Sequence, residues 1–362
     1  MSPRRIIHYI DSQQALDELS PQLSGAAPIG FDTEFLRERT YHPTLCLAQV
    51  AVRGEHYLID PLSEIDCSQF WAALLDEEIT LHAGRQDIEV LVEDSNRFPT
   101  HVFDTQIAAG LVGLPPQVGY AALVDEFCDV QLAKAHTRTN WSRRPLDQDV
   151  LRYAADDVRY LEPVRAGLSE RAESLGRMRW IEEDCAELLD ADRYAVIPEE
   201  AWHRLRGLRR LPQRVQQRAI ALAAWRESEA IARNLPRQWV IRDEALIDVS
   251  FQNPQSSKDL AAIPSLDRKS AKRHGSALIV TLNSELPAPP EHTDRPDAET
   301  RATQKAMAQK VRELGAELKV ESEVLAPQRE LKRAAVGDRD IRALRGWRAP
   351  LLAPIIEPLM PN

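Results

Sequence analysis

The sequence lacks the features that define several large classes of protein. Its apolar runs fall far short of the roughly 18 residues that a membrane span needs, and Asp11 ends the short apolar stretch after Arg4-Arg5, so no secretory signal is visible. The four cysteines are scattered and form neither a Cys-x-x-Cys pair nor a zinc-binding spacing. We therefore expect a cytoplasmic protein whose thiols are reduced.

Composition indicates a folded chain with an uneven distribution of charge. The 362 residues suggest two or three domains, and 43% of them are hydrophobic, which excludes disorder over the whole length. Residues 1–195 contain 18 basic and 34 acidic residues, whereas residues 201–280 contain 15 basic and 7 acidic ones. The basic segment is either a surface for a polyanion or a set of solvated helix faces, and charge alone leaves both readings open.

The first half of the sequence has the pattern of an α/β domain. Strand-like segments occupy residues 27–33, 45–52, 56–60 and 79–82, and helix-like segments occupy residues 68–76 and 85–94. A turn at Arg53-Gly54 separates the second and third strands. From Asp147, a plausible N-cap, apolar residues recur at helical spacing. Strands followed by helices predict a mixed sheet with helices packed against it.

The second half contains almost no strand signal. We predict a first domain over 1–195, a compact helical domain over 201–282, a Pro-rich linker over 283–297 and a further helical domain over 298–362. Ile241, Glu244 and Leu246 align with Val320, Glu323 and Leu325 at an offset of 79 residues. This weak repeat favours a second copy of the helical module.

Three acidic segments of the first half carry the functional argument. Asp32 and Glu34 are two residues apart on a predicted strand, so both side chains point to the same side. Asp87 falls in the first turn of a predicted helix, just after a Gly turn. Tyr153 and Asp157 are four residues apart and share one helix face.

Carboxylates and a phenol, without a Ser, Cys or His triad, suit Mg²⁺ or Mn²⁺ chemistry. Such ions bind a few carboxylates and keep room for phosphate oxygens, and a pair of them can assist phosphodiester hydrolysis. Each segment alone is more often structural: Asp-x-Glu is common, and Asp87 could simply complement the helix dipole. The order and spacing of all three segments favour a metal-assisted site.

These residues resemble a known family. The segments Phe31-Asp32-Thr33-Glu34-Phe35, His82-Ala83-Gly84-Arg85-Gln86-Asp87 and Tyr153-Ala154-Ala155-Asp156-Asp157 look like the three exonuclease motifs of the DEDD superfamily in its tyrosine branch, and most resemble the ribonuclease D family. The resemblance implies an α/β ribonuclease H-like exonuclease domain with a mixed sheet. It also implies one or two all-α domains of the HRDC type after it.

The resemblance also implies roles for the matching residues. Asp32, Glu34 and Asp157 would bind one divalent ion, Asp32 would bridge to a second ion, Asp87 would support that ion through water, and Tyr153 would orient the attacking water. The family removes 5′-mononucleotides from the 3′ end of RNA and trims transfer RNA precursors and other small structured RNAs. A monomer without an obligate protein partner is expected.

Residues near these motifs are candidates for contacts with substrate: Phe35, His82, Lys134, Trp141, Arg143 and Arg144. Aromatic and arginine surfaces suit single-stranded nucleic acid. The alternatives are ordinary structural roles, namely a core phenylalanine at 35 and a hydrogen-bonded core histidine at 82.

Two other functions stay open on the sequence alone. The same metal site serves DNA exonucleases, although no Gly-x-x-x-x-Gly-Lys-Ser/Thr loop or other helicase or polymerase motif is present. An inactive nuclease fold that only holds RNA is the second alternative. The intact set of four carboxylates and the tyrosine argues against it.

Overall fold

The computed structural model describes residues 7–132, 139–289 and 297–361. These residues form two compact units. One unit contains the described residues of 1–35, 45–193 and 295–361, and the other contains 36–44 and those of 194–294. The units therefore do not follow the order of the chain, because a short segment from the first half belongs to the second unit.

Within the described residues, one mixed sheet has the strand order β1-β4-β3-β2-β5-β6. The strands are β1 (Ile7–Ile10), β2 (Ile29–Leu36), β3 (Thr44–Val52), β4 (Glu55–Ile59), β5 (Glu78–Leu81) and β6 (His101–Asp104). β1 pairs with β4, β2 with β5 and β5 with β6 in parallel, whereas β3 and β4 are antiparallel. Arg53 and Gly54 join β3 to β4 with φ angles of 51° and 80°, the left-handed values of a tight hairpin turn.

The predicted mixed α/β architecture is confirmed, with two differences in the strands. β1 and β6 were not predicted; each is four residues long, too short for an alternating pattern to stand out, whereas the equally short β5 was predicted from its place between two helix-like segments. β2 was expected to end at Thr33 but continues to Leu36. Asp32 and Glu34 therefore lie within the strand rather than at its end.

The helices pack on both the sheet and each other. In the first unit they are α1 (Gln13–Leu23), α2 (Ser68–Leu75), α3 (Arg85–Ser95), α4 (Thr105–Leu111), α5 (Tyr120–Cys128), α6 (Gln148–Arg159), α7 (Leu161–Ser174) and α8 (Met178–Ala186). Phe31, Leu47, Leu58 and Ile79 are almost fully buried in the sheet core. Asp147 lies at the predicted N-cap of α6, but its side chain makes no capping hydrogen bond.

The second unit is helical, as predicted. Its helices are α9 (Gln213–Ala232), α10 (Arg237–Val240), α11 (Asp243–Gln252), α12 (Ser257–Ala261) and α13 (Arg268–Asn283). Before α9 the chain forms short 3₁₀ helices at Pro198–Arg204 and Leu208–Arg210. Tyr41, from the segment after β2, is buried in this core; its hydroxyl donates a hydrogen bond to Glu227, which also pairs with Arg237 at 2.5 Å.

The remaining helices are α14 (Ala298–Leu318), α15 (Ser322–Leu325), α16 (Gln328–Ala334) and α17 (Ala349–Ile356). They pack in the first unit, where the rings of Trp180 and Trp347 stack at 4.2 Å and Arg177 donates to the Leu318 carbonyl at 2.6 Å. The predicted domain boundaries stay predictions, and residues 290–296 of the predicted linker lie outside the described part. Among the described helices, none combines the length and the apolar character needed to cross a membrane.

Candidate active site

The central strand β2 carries the first two acidic residues. Asp32 and Glu34 alternate with buried Phe31 and Thr33, so the pleat places the two carboxylates on one side of the strand. Thr33 reaches Asp87 from the same strand. Its hydroxyl and its backbone N–H both donate to Asp87 Oδ1, at 2.5 and 3.1 Å.

The start of α3 positions Asp87, and Asp104 holds that start in place. The Asp104 carboxylate, 2% exposed, accepts hydrogen bonds from the backbone N–H groups of Ala83 and Gly84 at 3.2 and 2.8 Å. It also caps α4 by accepting from Gln106 and the following residue. A side chain at position 84 would meet Leu81 at 2.6 Å, so only glycine fits this turn without a shift. Asp104 thus joins two strand-to-helix turns beside the acidic cluster.

The helix α6 supplies the third motif. Tyr153 and Asp157 lie one turn apart and are joined by a side-chain hydrogen bond. The Trp141 ring, 6% exposed, lies 6.3 Å from the Tyr153 ring. Asp156, which the helical geometry predicts to face solvent, is instead half-buried and pairs with Arg159 at 2.5 Å.

The carboxylates are close enough to perturb one another. Burial raises the pKa of Asp32 well above its usual value, and the charges of Asp87, Asp157 and Glu34 raise it further. Burial and the charges of Asp157 and Asp87 raise the pKa of Glu34 to about 8. Burial, followed by the charge of Asp156, raises the pKa of Asp157 to about 7. Such upward shifts arise when like charges share a poorly solvated space.

The tyrosines at this site are held protonated. Burial and then the charges of Asp157, Glu34 and Asp32 raise the pKa of the Tyr153 hydroxyl far above its usual range. Tyr120 lies near the same cluster. Burial raises the pKa of its hydroxyl, and the nearby charges of Asp157 and Asp32 raise it further. Its hydroxyl accepts a hydrogen bond from the Tyr160 backbone N–H at 3.0 Å.

The donor set fits a divalent cation. It consists of carboxylate oxygens, which hard ions such as Mg²⁺ prefer, and a cation would relieve the repulsion that raises the pKa values. In residues 7–132, 139–289 and 297–361, however, no three His, Cys, Asp or Glu side chains already stand at ligating distances from a common point.

Comparison with known proteins gives these residues a context. A family model for 3′-5′ exonucleases matches residues 7–173, and a model for the HRDC domain matches residues 215–282. A ribonuclease D from Nitrobacter hamburgensis is 35% identical over 352 residues, covering 94% of this chain and 92% of that protein. The chain belongs to the ribonuclease D family. A ribonuclease D from Jannaschia sp. is 39% identical over 297 residues, covering 77% of each chain.

A solved structure extends this likeness to the whole fold. The crystal structure of Escherichia coli RNase D superposes with a TM-score of 0.87 at 30% identity and covers 98% of both chains. The suspected resemblance and the predicted fold class are thus confirmed. The protein is a 3′-5′ exoribonuclease of the ribonuclease D type, and membership of this exonuclease family implies a divalent metal.

The candidate substrate residues of this ribonuclease D-type chain differ in how fully their polar groups are engaged. Arg144 forms a bidentate salt bridge with Asp60, with N–O distances of 2.5 and 2.6 Å, and also donates hydrogen bonds to the carbonyls of Trp141 and Cys46. Arg143 is exposed. Of the two arginines, Arg143 therefore has its guanidinium facing solvent, while that of Arg144 holds the segment around Trp141 to the sheet.

The other candidates are placed as follows. The His82 ring lies 2.9 Å from the Thr105 hydroxyl and contacts the Tyr120 ring, and burial lowers its pKa. These contacts match the structural alternative for His82. Phe35 is half-buried at the end of β2, and Lys134 lies outside the described residues. Contact of these residues with substrate stays a prediction.

The sequence patterns did not predict three supporting roles. These are the contacts of Thr33 with Asp87, of Asp60 with Arg144 and of Asp104 with the turn at Gly84. Thr33 lies within the first motif but its role depends on Asp87, 54 residues away, and Asp60 lies outside every motif, 84 residues from its partner Arg144. Asp104 directly precedes Thr105 and Gln106, a position that predicts a helix cap, and its side chain does cap α4. Its second role, on the turn at Gly84, depends on the parallel pairing of β5 with β6.

Proposed function

We propose that Asp32, Glu34, Asp87 and Asp157 hold two divalent cations, Mg²⁺ or Mn²⁺, for hydrolysis of the terminal phosphodiester bond of RNA. The observation that supports this is that burial raises the pKa of all four carboxylates, and that charges of neighbouring carboxylates raise those of Asp32, Glu34 and Asp157 further. Four acidic groups in one buried space are costly unless protons or cations neutralise them. When bound, the cations supply an activated water and neutralise charge on the phosphate.

Tyr153 acts by orientation rather than as a base. Its raised pKa keeps the hydroxyl protonated at neutral pH, so it can donate a hydrogen bond but cannot accept a proton readily. Asp157 fixes the direction of the Tyr153 hydroxyl through their hydrogen bond, and Trp141 packs beside its ring. Asp32, whose pKa is raised by the charges of all three other carboxylates, would contribute to holding both ions.

The substrates are structured RNAs with a 3′ end, and the products are 5′-mononucleotides. The E. coli relative is described as an exoribonuclease involved in structured RNA processing, and transfer RNA precursors fit that description. We further propose that the chain acts as a monomer.

The test uses strands labelled at the 5′ end, one of RNA and one of DNA with the same sequence. We expect Mg²⁺-dependent shortening of RNA from the 3′ end, release of 5′-mononucleotides, no reaction in EDTA and slower reaction on DNA. Binding without any shortening would instead support the inactive RNA-binding alternative. Faster shortening of DNA would support the DNA exonuclease.

Tyr153→Phe should lower kcat by about 10- to 100-fold, the range found when a group that orients a metal site is removed. The ring and its packing beside Trp141 remain, so stability should hardly change. When rates are measured from pH 6 to pH 9, the pH profiles of the two proteins should have the same shape, with the variant slower throughout. A lost basic limb in the variant profile would mean that Tyr153 titrates in catalysis, contrary to this role.

Removal of metal should make stability depend on pH. Folding raises the pKa of Glu34 from 4.5 to about 8 and that of Asp157 from 3.8 to about 7. Protonation of these groups therefore stabilises the folded chain below about pH 4, and this stabilisation is lost as the pH rises through 7 and 8. In EDTA, we expect the Tm of the first unit to fall by roughly 3–6 °C between pH 5.5 and pH 8.5.

Mg²⁺ should reverse this loss, with a larger rise in Tm at pH 8.5 than at pH 5.5, because the ions compete with protons for the same oxygens. The matched variant is Glu34→Gln/Asp157→Asn, in which both the pH slope and the response to Mg²⁺ should shrink. An equal response of the variant to Mg²⁺ would place the ions elsewhere.

A further inference from the structure

The second unit contains a cavity of about 700 Å³ whose lining is aromatic and cationic. Trp202, His203, Arg206, Arg209 and Arg210 contribute to it, and none of its lining residues is acidic. The cavity lies in the 3₁₀ segments just before α9. It is therefore outside residues 215–282, which the HRDC family model matches.

The local sequence explains why these side chains point outward. Ala201, Leu205 and Leu208 are buried in the core of the helical unit and anchor the segment at intervals of four and three residues. His203 and Arg206, which lie between these anchors, are exposed. The segment is thus held to the core by its apolar residues and presents its cations to solvent.

Two aromatic rings stack face to face in this cavity and form a platform. The rings of Trp202 and His203 stack with centroids 3.8 Å apart and an angle of 26°. Trp202 is half-buried against the core, whereas His203 is exposed. The guanidinium of Arg209 lies 6.0 Å from the Trp202 ring. Since one ring is anchored, the platform is ordered before any ligand arrives, which lowers the entropic cost of stacking.

Two further arginines of the cavity lining, Arg206 and Arg210, are available to a ligand. In the part of the chain that the structure describes, Arg206 and Arg210 form no ion pair, whereas neighbouring Arg204 lies 3.4 Å from a Glu227 carboxylate oxygen. Unpaired arginines close together repel one another, and phosphate groups relieve that repulsion.

We propose that this cavity binds a single-stranded stretch of RNA upstream of the 3′ end, with a base stacked on the platform and phosphates on Arg206 and Arg210. Stacking platforms flanked by basic side chains are the usual means of holding single strands without sequence preference. This proposal rests on the proposed function, because the ligand is the RNA substrate of that function. An acidic protein partner would use the arginines but would have no need of the stacked rings.

The experiment measures binding of a fluorescent oligoadenylate of about 16 nucleotides to the full chain in EDTA, which prevents hydrolysis. His203→Ala should weaken binding by at least about fivefold, as expected for one lost base stack, while His203→Phe should stay within about twofold of the original affinity. An abasic strand of equal length should bind the original chain and His203→Ala alike. Equal Tm values would show that the variants are folded.

The arginines are tested by Arg206→Ser/Arg210→Ser, which should weaken binding about tenfold and reduce the salt slope by one to two units. The matched control is Arg268→Ser/Lys269→Ser, an equal change of charge at exposed residues outside the cavity lining. Original affinity in both His203→Ala and the arginine variant would overturn the proposal, as would an equal loss in the control.

Hydrolysis is measured separately with Mg²⁺ and the same strands. Absence of hydrolysis together with the expected losses of binding would defeat the proposed catalytic function and leave the cavity as an RNA site. Normal hydrolysis with unchanged binding would defeat only the cavity.

Discussion

Asp32→Asn is expected to lower the kcat for RNA hydrolysis by at least about 10³-fold, the scale of loss when a central catalytic group is removed. Asp32 adjoins the other three carboxylates, since the charges of Asp87, Asp157 and Glu34 all raise its pKa. The amide keeps the shape of the side chain but removes the charge that would neutralise cations. Single-turnover rates on RNA labelled at the 5′ end would measure the effect.

The matched control is Asp156→Asn on α6. Asp156 is also half-buried and acidic, but it pairs with Arg159 and we assign it no ligand role. Its substitution should change kcat by less than about threefold. Retention of more than a tenth of the activity by Asp32→Asn, or an equal loss in Asp156→Asn, would contradict the proposed metal site.

The same substitution should not cost stability. In EDTA at pH 8, the Tm of Asp32→Asn should equal or exceed that of the original chain, because the amide removes repulsion within the acidic cluster. Functional sites commonly hold such destabilising groups. A marked fall in Tm would mean that Asp32 has a structural role, and the loss of activity could then not be assigned to metal binding.

Asp184→Ala is expected to destabilise the first unit by about 3–5 kcal/mol, the usual result of removing one partner of a buried ion pair. Arg348, 2% exposed, pairs with both oxygens of Asp184 at 2.6 and 2.7 Å, and Arg342 and the Trp347 indole also donate to this carboxylate. Although burial opposes it, these donors hold the pKa of Asp184 below its usual value. The variant leaves the Arg348 charge buried without its partner.

Urea unfolding followed by tryptophan fluorescence would measure this loss, since the stacked Trp180 and Trp347 report on the contact directly. Arg339→Ala is the control, because its pair with Glu357 is exposed and should contribute less than about 1 kcal/mol. Asp184→Leu/Arg348→Met should recover most of the stability by removing both charges together. Equal destabilisation by Asp184→Ala and Arg339→Ala would contradict the account.

Local patterns correctly predicted the kind of element on which each candidate catalytic residue lies. Asp32 and Glu34 lie on a strand, Asp87 in the first turn of a helix, and Tyr153 with Asp157 on one helix face, as their spacing indicated. These relations depend on strand and helix periodicity, which is a property of neighbouring residues. β1 and β6 escaped prediction because four residues are too few to display a period; β5, equally short, was predicted because it lies between two helix-like segments.

Properties that depend on distant contacts could not be read in this way. Arg143 and Arg144 are adjacent and chemically identical, yet only Arg144 meets Asp60, 84 residues earlier in the chain. Likewise, nothing local distinguishes Tyr41 from a surface tyrosine, but its ring is buried in the helical unit. Which of two similar side chains stays available to a ligand is decided by what packs against it.

By itself, the sequence determined which chemical groups the protein has and on which kind of element each stands, because residue identity and short-range spacing set both. Only the tertiary structure decided that the carboxylates perturb one another, that one arginine is held by Asp60, and that an aromatic platform is anchored in the same cavity as Arg206 and Arg210. The physical reason is that desolvation and charge interactions act through space. They depend on segments that folding brings together from far apart in the chain.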